Sequence, residues 1–329
     1  MAVSELLAVC SAALAEPEPP SPKTFFEEHF VPKVLIRDGR EATGFLTGYF
    51  EPEVSASRTR NERFAVPLYR RPADLVSVKN RTLPEGWDPD VLFGRETPNG
   101  LEPYPDRAAI ETGFLDGRGL EMAFVESWID AFFIHVQGSA RLRFSDGSVM
   151  RVAYAGKSGH AYSSIGRLLA ETEGIDPASI TMPVLRQWLT DNPQEGLRLM
   201  RRNQSFIFFH EVSDLSPQDG PVGAAGTPLR PLASLAVDRT WHLFGTPVWV
   251  DSQRDAALSE REAASPKPED WRGFRGLTIA QDTGSAIRGP VRADLFVGSG
   301  PDAGAEAGII RHSARLVFLW PRTGSGVQP

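Results

Sequence analysis

Cysteine is almost absent from this sequence, which has a single one, Cys10, among 329 residues. An intramolecular disulfide is therefore impossible, and a zinc site built from several thiolates is excluded. Cys10 lies in an N-terminal segment with no histidine positioned beside it, so catalysis by a thiol nucleophile is a weak hypothesis. The six histidines form neither an HxH nor an HxxxH pair, which also argues against a metalloenzyme. No metal or other cofactor is expected.

Other catalytic and binding signatures are missing as well. There is no GxSxG elbow of a serine hydrolase, no complete GxxxxGK[ST] phosphate loop, and no GxGxxG between a strand and a helix. The formal net charge is −7 and no Lys/Arg cluster is present, so nucleic acid is not expected as a partner. No apolar run approaches the roughly 18–20 residues of a membrane-spanning helix. Carboxylate chemistry on an uncharged, polyhydroxylated substrate remains after these exclusions.

The N-terminal stretch MAVSELLAVCSAALAEPEPP has an apolar centre but no basic residues before it, which makes it a poor signal peptide. Val9, directly before Cys10, is also unsuited to a lipoprotein cleavage site, where a small residue is expected. We predict a helix that packs on the core, with an export segment upstream of this sequence as the alternative.

Thirty glycines, 27 prolines and 41% hydrophobic residues are typical of a folded, strand- and turn-rich protein. Short strands are predicted near both chain ends and an α+β block between them. We therefore predict a mainly β protein: residues 1–80 and 216–329 form a β-barrel, and residues 81–215 form an inserted α+β domain. The predicted strands are 45–57, 63–72, 232–238, 246–251, 276–282, 293–298 and 315–320, and the predicted helices are 107–114, 121–132, 163–175, 182–191 and 193–203. Residues 133–144 are read as strand and 252–273 as a charged loop or short helix.

Three aspartates share a setting in the last hundred residues. Asp238, Asp282 and Asp294 each lie at or beside the end of an apolar strand, next to turn residues. One interpretation is structural, since aspartate often accepts hydrogen bonds from backbone N–H groups at turns. The other is catalytic, because strand ends of a barrel converge on one rim, where a poorly solvated carboxyl group acquires a raised pKa.

Polar groups in two other segments are candidates for sugar binding. HVQGSARL places Gln137 and Ser139 at a strand end, and the Gly-broken loop YAGKSGHAYSSIG carries Lys157, His160 and Tyr162. GYFEP adds Tyr49 and Glu51 on a strand. The alternatives are loop bracing by hydrogen bonds for the first two segments and ordinary core packing for the third.

Several motifs in one order carry a family resemblance. LTGYFEP (46–52), PLYRRP (67–72), FFIHVQGSARLRFSDGS (132–148), YAGKSGHAYSSIG (154–166) and NQSFIFF (203–209) precede LAVDRTWHLFGTPVWV (235–250) and IAQDTGSAIRGPVRADLFVGSGPDAGAEAG (279–308). From Phe25 to Trp320 the chain resembles the membrane-bound lytic murein transglycosylase A family, whose C-terminal module contains three aspartates.

The resemblance implies an exolytic lyase that cleaves the MurNAc–β-1,4–GlcNAc bond of peptidoglycan and leaves 1,6-anhydro-muramoyl ends. It implies a double-psi β-barrel from both chain ends, an inserted domain and a groove where they meet. Asp294 matches the single catalytic acid/base, while Asp238 and Asp282 match supporting acids. Thr47 and Gly284 join the residues expected to contact substrate. The family acts in the periplasm, usually anchored to the outer membrane, and glycan strands would be the partner of a monomer.

Two alternatives to this hypothesis remain. An inverting hydrolase would use Asp294 with a second carboxylate, Asp282 or Asp238, roughly 6.5–9.5 Å away to activate water. A peptidoglycan-binding protein without turnover would use the same surface and need no acid/base.

Overall fold

The computed structural model describes residues 2–15, 21–89, 91–252 and 273–322. The chain divides into two compact units. The first, called here the terminal unit, comprises Met1–Tyr49, Val222–Gly298 and Ile309–Pro329; the second, the inserted unit, comprises Phe50–Pro221 and Ser299–Gly308.

Strands dominate the described residues. They are β1 (Phe30–Lys33), β2 (Ile36–Arg37), β3 (Arg40–Glu41), β4 (Gly44–Glu51), β5 (Glu53–Ser57), β6 (Val66–Tyr69), β7 (Leu75–Ser77), β8 (Phe93–Thr97), β9 (Gly100–Glu102), β10 (Glu121–Val125), β11 (Ser139–Arg143), β12 (Val149–Lys157), β13 (Ile207–Val212), β14 (Ser234–Val237), β15 (Pro247–Ser252), β16 (Phe274–Asp282), β17 (Arg292–Ser299) and β18 (Arg311–Pro321). The helices are α1 (Val3–Ala15), α2 (Pro22–His29), α3 (Arg107–Ala109, continued by a π-helical turn to Phe114), α4 (Trp128–Gln137), α5 (Ile165–Glu173), α6 (Met182–Asp191), α7 (Pro193–Arg201) and α8 (Pro301–Ala307).

The terminal unit is built on one sheet from both chain ends. Its strand order is β1-β18-β15-β16-β14-β17-β4, and β18 also pairs with β4, so six of the strands form a closed ring. β14 pairs in parallel with β16 and antiparallel with β17. Leu235, Ala280, Leu295 and Leu316 of these strands are buried in the core. Closure leaves β1 as a strand outside the ring, paired with β18.

Helix α1 confirms the predicted N-terminal helix. Its Leu6 and Val9 are buried with Phe30, and Phe25 and Leu319 pack against them. The N-terminal stretch therefore contributes a small hydrophobic cluster to the terminal unit. No helix in the described part of the chain is long and apolar enough to cross a bilayer.

The inserted unit carries a second sheet of order β13-β12-β11-β5-β10-β6, with a separate three-stranded sheet of β7, β8 and β9. Helix α4 lies between two apolar clusters. Ala131 and Ile134 pack in the sheet core, while Phe132 and Phe133 pack with helices α5, α6 and α7. Predicted helices at 163–175, 182–191 and 193–203 are confirmed within a few residues.

One predicted helix was wrong. Residues 121–125 form strand β10, and the helix begins only at Trp128, after Ser127, whose Oγ accepts a hydrogen bond from Asp130 N–H. Residues 133–137, predicted as strand, belong to this helix, which ends at the left-handed Gly138. The apolar run of α4 is buried on both sides, so its periodicity does not separate strand from helix.

The compact units also differ from the predicted domain boundaries. Strands β5 and β6 lie in the sheet of the inserted unit, although residues up to 80 were assigned to the barrel. The reason is strand pairing: β5 pairs in parallel with β11 and antiparallel with β10. Residues 299–308, including α8, also belong to the inserted unit. The predicted charged loop at 252–273 falls, apart from its two ends, outside the described residues.

Candidate active site

Two neighbouring strands of the terminal unit present the chemistry. In an extended strand, residues two apart point to the same face, so Arg292 and Asp294 share a face of β17, as do Thr47 and Tyr49 on β4. The Thr47 hydroxyl donates a hydrogen bond to Asp294 Oδ1. Arg292 Nη2 donates to Thr47 Oγ1 at 2.8 Å. The sheet thus assembles an acid, a hydroxyl and a guanidinium from two distant segments.

Asp294 is half-buried, and this burial raises the pKa of its carboxyl group to about 6. Arg292 and the Thr47 hydrogen bond act in the opposite direction, and Asp282 adds a small further increase. A carboxyl group with a pKa near 6 is partly protonated near neutral pH, so it can give a proton and later take one back.

Asp282 lies at the end of β16 and both of its carboxylate oxygens are engaged. Oδ1 accepts from Ala224 N–H at 3.0 Å and Oδ2 from the Tyr49 hydroxyl at 2.9 Å. Burial raises the pKa of Asp282, and these hydrogen bonds oppose the increase. Burial also raises the pKa of Tyr49 well above 10, with Asp282 contributing. Tyr49 therefore stays protonated and acts as a donor to Asp282.

Asp238 stabilises the turn that follows β14. It is 5% exposed, and its Oδ1 accepts from the backbone N–H and the hydroxyl of Thr240, while Oδ2 accepts from Gly289 N–H at 2.7 Å. Burial alone would raise the pKa of Asp238, but these hydrogen bonds outweigh it and lower the pKa. Asp238 is thus an ionised brace that joins the end of β14 to the loop before β17.

The loop between Asp282 and Asp294 is anchored at two more points. Ile287 N–H donates to Gly284 O at 3.0 Å, which forms a turn directly after Asp282. His242 Nε2 lies 2.7 Å from Pro290 O, so this nitrogen carries a hydrogen, and its ring stacks on Phe318 at 3.8 Å. These contacts set the path of the chain into β17.

Glu51, predicted to contact substrate, is buried in the inserted unit with 1% exposure. It accepts from Arg141 Nε at 2.7 Å, Arg151 Nη2 at 3.1 Å and Ser299 Oγ at 2.7 Å. With its oxygens occupied by two guanidinium groups and a hydroxyl, Glu51 has the contacts of a structural brace.

The remaining predicted residues also belong to the inserted unit. Gln137 closes α4 and its Oε1 accepts from Phe50 N–H at 3.1 Å. The buried Ser139 opens β11 and Lys157 ends β12. His160 Nε2 lies 2.7 Å from Tyr104 O, and burial raises the pKa of the neighbouring Tyr162.

The structure therefore gathers Thr47, Tyr49, Asp282 and Asp294 and places Asp238 and Gly284 in the adjoining turns, while the other six candidates lie in the inserted unit. Arg292 was not among the site residues predicted from the sequence. Its position two residues before Asp294 on a strand was the available signal. Arg141 and Arg151, the partners of Glu51, had no local signal because they are 90 and 100 residues away from it.

Comparison with known proteins gives two family matches. Residues 45–210 match the MltA specific insert domain and residues 233–320 match the 3D domain. The membrane-bound lytic murein transglycosylase A of Vibrio cholerae is 32% identical over 281 residues, which cover 84% of this chain and 65% of that protein. The chain thus spans about two thirds of that relative's length.

Solved structures agree with this match. A membrane-bound lytic murein transglycosylase from Agrobacterium tumefaciens is 41% identical with a TM-score of 0.85, over 98% of this chain and 85% of that one. Escherichia coli MltA with bound chitohexaose is 27% identical with a TM-score of 0.70, over 97% of this chain and 83% of that one. The chain belongs to the membrane-bound lytic murein transglycosylase A family.

Proposed function

We propose that this protein is an exolytic lytic transglycosylase that cleaves the MurNAc–β-1,4–GlcNAc bond of peptidoglycan and leaves 1,6-anhydro-MurNAc ends. The observation that carries the proposal is Asp294, a half-buried carboxyl group with its pKa raised to about 6 and a hydroxyl donor on Oδ1. Family membership supplies the substrate class.

One carboxyl group suffices for the proposed reaction. Protonated Asp294 gives its proton to the glycosidic oxygen as the C1–O bond breaks and positive charge develops at C1. The resulting carboxylate takes the proton of the muramoyl C6 hydroxyl, whose oxygen forms the new bond to C1. The proton balance closes on Asp294, and no water enters the product.

The contacts of the other two aspartates support this single-acid mechanism over the inverting hydrolase. A base that activates water needs a carboxylate lone pair that the water can reach. Asp282 has one oxygen on Ala224 N–H and the other on the Tyr49 hydroxyl. Asp238 has both on the turn that it braces. Each carboxylate thus already accepts two or three structural hydrogen bonds, which leaves it fewer lone pairs for a water molecule.

The closed ring of six strands supports assignment of the terminal unit to the double-psi β-barrels, with residues 50–221 as the insertion. Gln137, Ser139, Lys157, His160 and Tyr162 are proposed to contact the glycan, with Gly284 in the turn after Asp282. Glu51 is proposed to hold its strand in place. Glycan strands are the proposed partner of a monomer. The chitohexaose bound to the Escherichia coli relative supports an oligosaccharide ligand.

A periplasmic location, associated with the outer membrane, is proposed on two grounds. Relatives carry the description membrane-bound in their names. Peptidoglycan, the proposed substrate, also lies outside the cytoplasm of bacteria.

Product analysis tests the proposal. Purified protein is incubated with murein sacculi, and released fragments are identified by mass spectrometry, with wild type compared to Asp294→Ala and Asp251→Ala. Asp251 is the matched control, an acid of the same sheet that pairs with Arg275 at 3.0 Å. We expect anhydro-muropeptides from wild type and Asp251→Ala, and none from Asp294→Ala. Reducing-end products would instead identify a hydrolase, and binding without release would identify a binding protein.

A further inference from the structure

Arg292 stands at the end of a short hydrogen-bonded chain. Its Nη2 donates to Thr47 Oγ1 at 2.8 Å, and the Thr47 hydroxyl donates to Asp294 Oδ1. A guanidinium can only donate, so it occupies a lone pair of the threonine oxygen. The hydroxyl hydrogen is then directed to its other neighbour, the carboxyl oxygen. The chain of donors runs one way, from Arg292 to Asp294.

We propose that Arg292 is a positioning residue which, through the Thr47 hydroxyl, keeps Asp294 Oδ1 as an acceptor and leaves Oδ2 to carry the reacting proton. The inference rests on the proposed function of Asp294 as acid/base. A neutral carboxyl group with Oδ1 engaged as acceptor has its proton on the other oxygen. The relay thus selects which oxygen faces the scissile bond.

The guanidinium is itself held in place. Nη1 donates to Ala293 O, and the guanidinium lies over the Phe45 ring at 5.2 Å from its centroid. Phe45 and Thr47 are two residues apart on β4, so the ring and the hydroxyl lie on the same side of the strand. Arg292 is half-buried. A side chain fixed at three points can orient a hydroxyl, whereas a mobile surface arginine cannot.

Other charged and titratable groups near the relay are few. Asp282 is the last residue of β16 and contacts Tyr49 of β4. Arg311 of β18 is in register with Thr47 of β4. Burial lowers the pKa of Arg292; the Asp294 charge counteracts this and Arg311 adds to it. Burial raises the pKa of Asp294, and the charge of Arg292 is the largest effect that lowers it.

The sign of the effect follows from these contacts. Arg292 and Thr47 stabilise the carboxylate, so loss of either raises the pKa of Asp294 further above its ordinary value. The acid step needs protonated Asp294, and the base step needs the carboxylate. The alkaline limb of the rate profile, where the acid form disappears, should therefore move to higher pH.

The test measures the carboxyl group directly. In the full-length chain labelled with 13C-aspartate, the Asp294 signal, assigned by its loss in Asp294→Asn, is followed by NMR as a function of pH. Arg292→Met and Thr47→Val are each expected to raise its midpoint by ~1 pH unit. The conservative variants Arg292→Lys and Thr47→Ser should raise the midpoint by a smaller amount. Arg275→Met, an exposed arginine of the same sheet paired with Asp251, should leave it unchanged.

A double variant separates the relay from a simple charge effect. In the Thr47→Val background, Arg292→Met should shift the midpoint markedly less than in wild type, since the connecting hydroxyl is gone. Equal shifts in both backgrounds would overturn the relay, because the arginine charge would then act directly through space. No shift in either variant would overturn it as well. Circular dichroism confirms that each variant is folded.

Catalytic activity is measured in a second assay, independent of the NMR titration. Release of anhydro-muropeptides by Arg292→Met is expected to fall about 10–100-fold at the wild-type optimum through misplacement of the acid, with the alkaline limb moved upward. If wild type releases no product, the proposed function fails. The NMR midpoints still decide whether Arg292 acts on Asp294 through Thr47.

Discussion

Replacing Glu51 with alanine tests whether this residue holds the inserted unit together or contacts substrate. Glu51 is 1% exposed, and its partners Arg141 and Arg151 have side chains 15% and 9% exposed. Removal of the carboxylate leaves the buried guanidinium group of Arg151 and the largely buried one of Arg141 without their counter-ion, and Ser299 without its acceptor. Breaking a buried ion pair from one side costs about 3–5 kcal/mol. At about 2–4 °C per kcal/mol for a unit of this size, we expect Tm to fall by roughly 6–20 °C.

Glu53 provides the matched control for this experiment. It lies two residues further along the chain and pairs with Arg143, but its side chain is 22% exposed and that of Arg143 is 57% exposed. Solvent screens this pair, so Glu53→Ala should change Tm far less than Glu51→Ala. Glu51→Gln keeps the shape and some hydrogen bonds but loses the charge, and should fall between wild type and the alanine variant.

Differential scanning calorimetry with a parallel glycan-binding assay distinguishes the two roles. We expect a large loss of Tm for Glu51→Ala, with glycan binding retained well below the new Tm. An unchanged Tm together with lost binding would refute it and return Glu51 to the substrate-contacting residues.

Two further predictions concern the aspartates. Asp294 has a folded pKa of about 6 against an ordinary value of 3.8, so above pH 6 the fold carries a poorly solvated charge; Asp294→Asn should raise the free energy of unfolding at pH 7 by about 1–3 kcal/mol. Urea titrations should show this gain fading as pH falls from 6 towards 4, and a gain that persists at pH 4 would contradict its electrostatic origin. Asp238 has a lowered folded pKa, so its stabilisation is present above the ordinary pKa of aspartate and is lost as pH falls through the folded pKa. Asp238→Asn should therefore be less stable at pH 7, by about 1–3 kcal/mol, and should converge on wild type only as pH falls below 3.8 and through the folded pKa; a deficit that stays constant down to about pH 2 would count against the charge.

Local signals in the sequence identify most elements of the terminal unit. Strands around 235, 248, 280, 296 and 317 appear as short apolar runs bounded by Gly, Pro or Asp, and the structure has strands at each. Helices α6 and α7 have proline in the first turn, a position where proline is over-represented and its missing N–H is not needed. Helix α4 lacks such an internal cue, since its apolar run is buried on both sides, and its start depends on the cap at Ser127.

The candidate site was likewise predictable from the sequence only in part. Asp238, Asp282 and Asp294 are visible in the sequence because each lies where a strand meets a turn, and the ordered motifs identify their family. The sequence does not show what each carboxylate touches. Tyr49 reaches Asp282 across 233 residues and Thr47 reaches Asp294 across 247.

The sequence alone thus determined the mainly β composition, the three aspartates and the family to which they belong, because these depend on residue type and local order. Only the tertiary structure decided the contacts of each acid, since hydrogen bonds and burial depend on which distant strands become neighbours. Closure of the sheet places β4 beside β17, and this pairing puts Thr47 of β4 beside Arg292 and Asp294 of β17. The pairing of β5 with β11 and β10 likewise places β5 in the inserted unit, which begins at Phe50 and not after residue 80. Strand pairing is a non-local property that no single segment encodes.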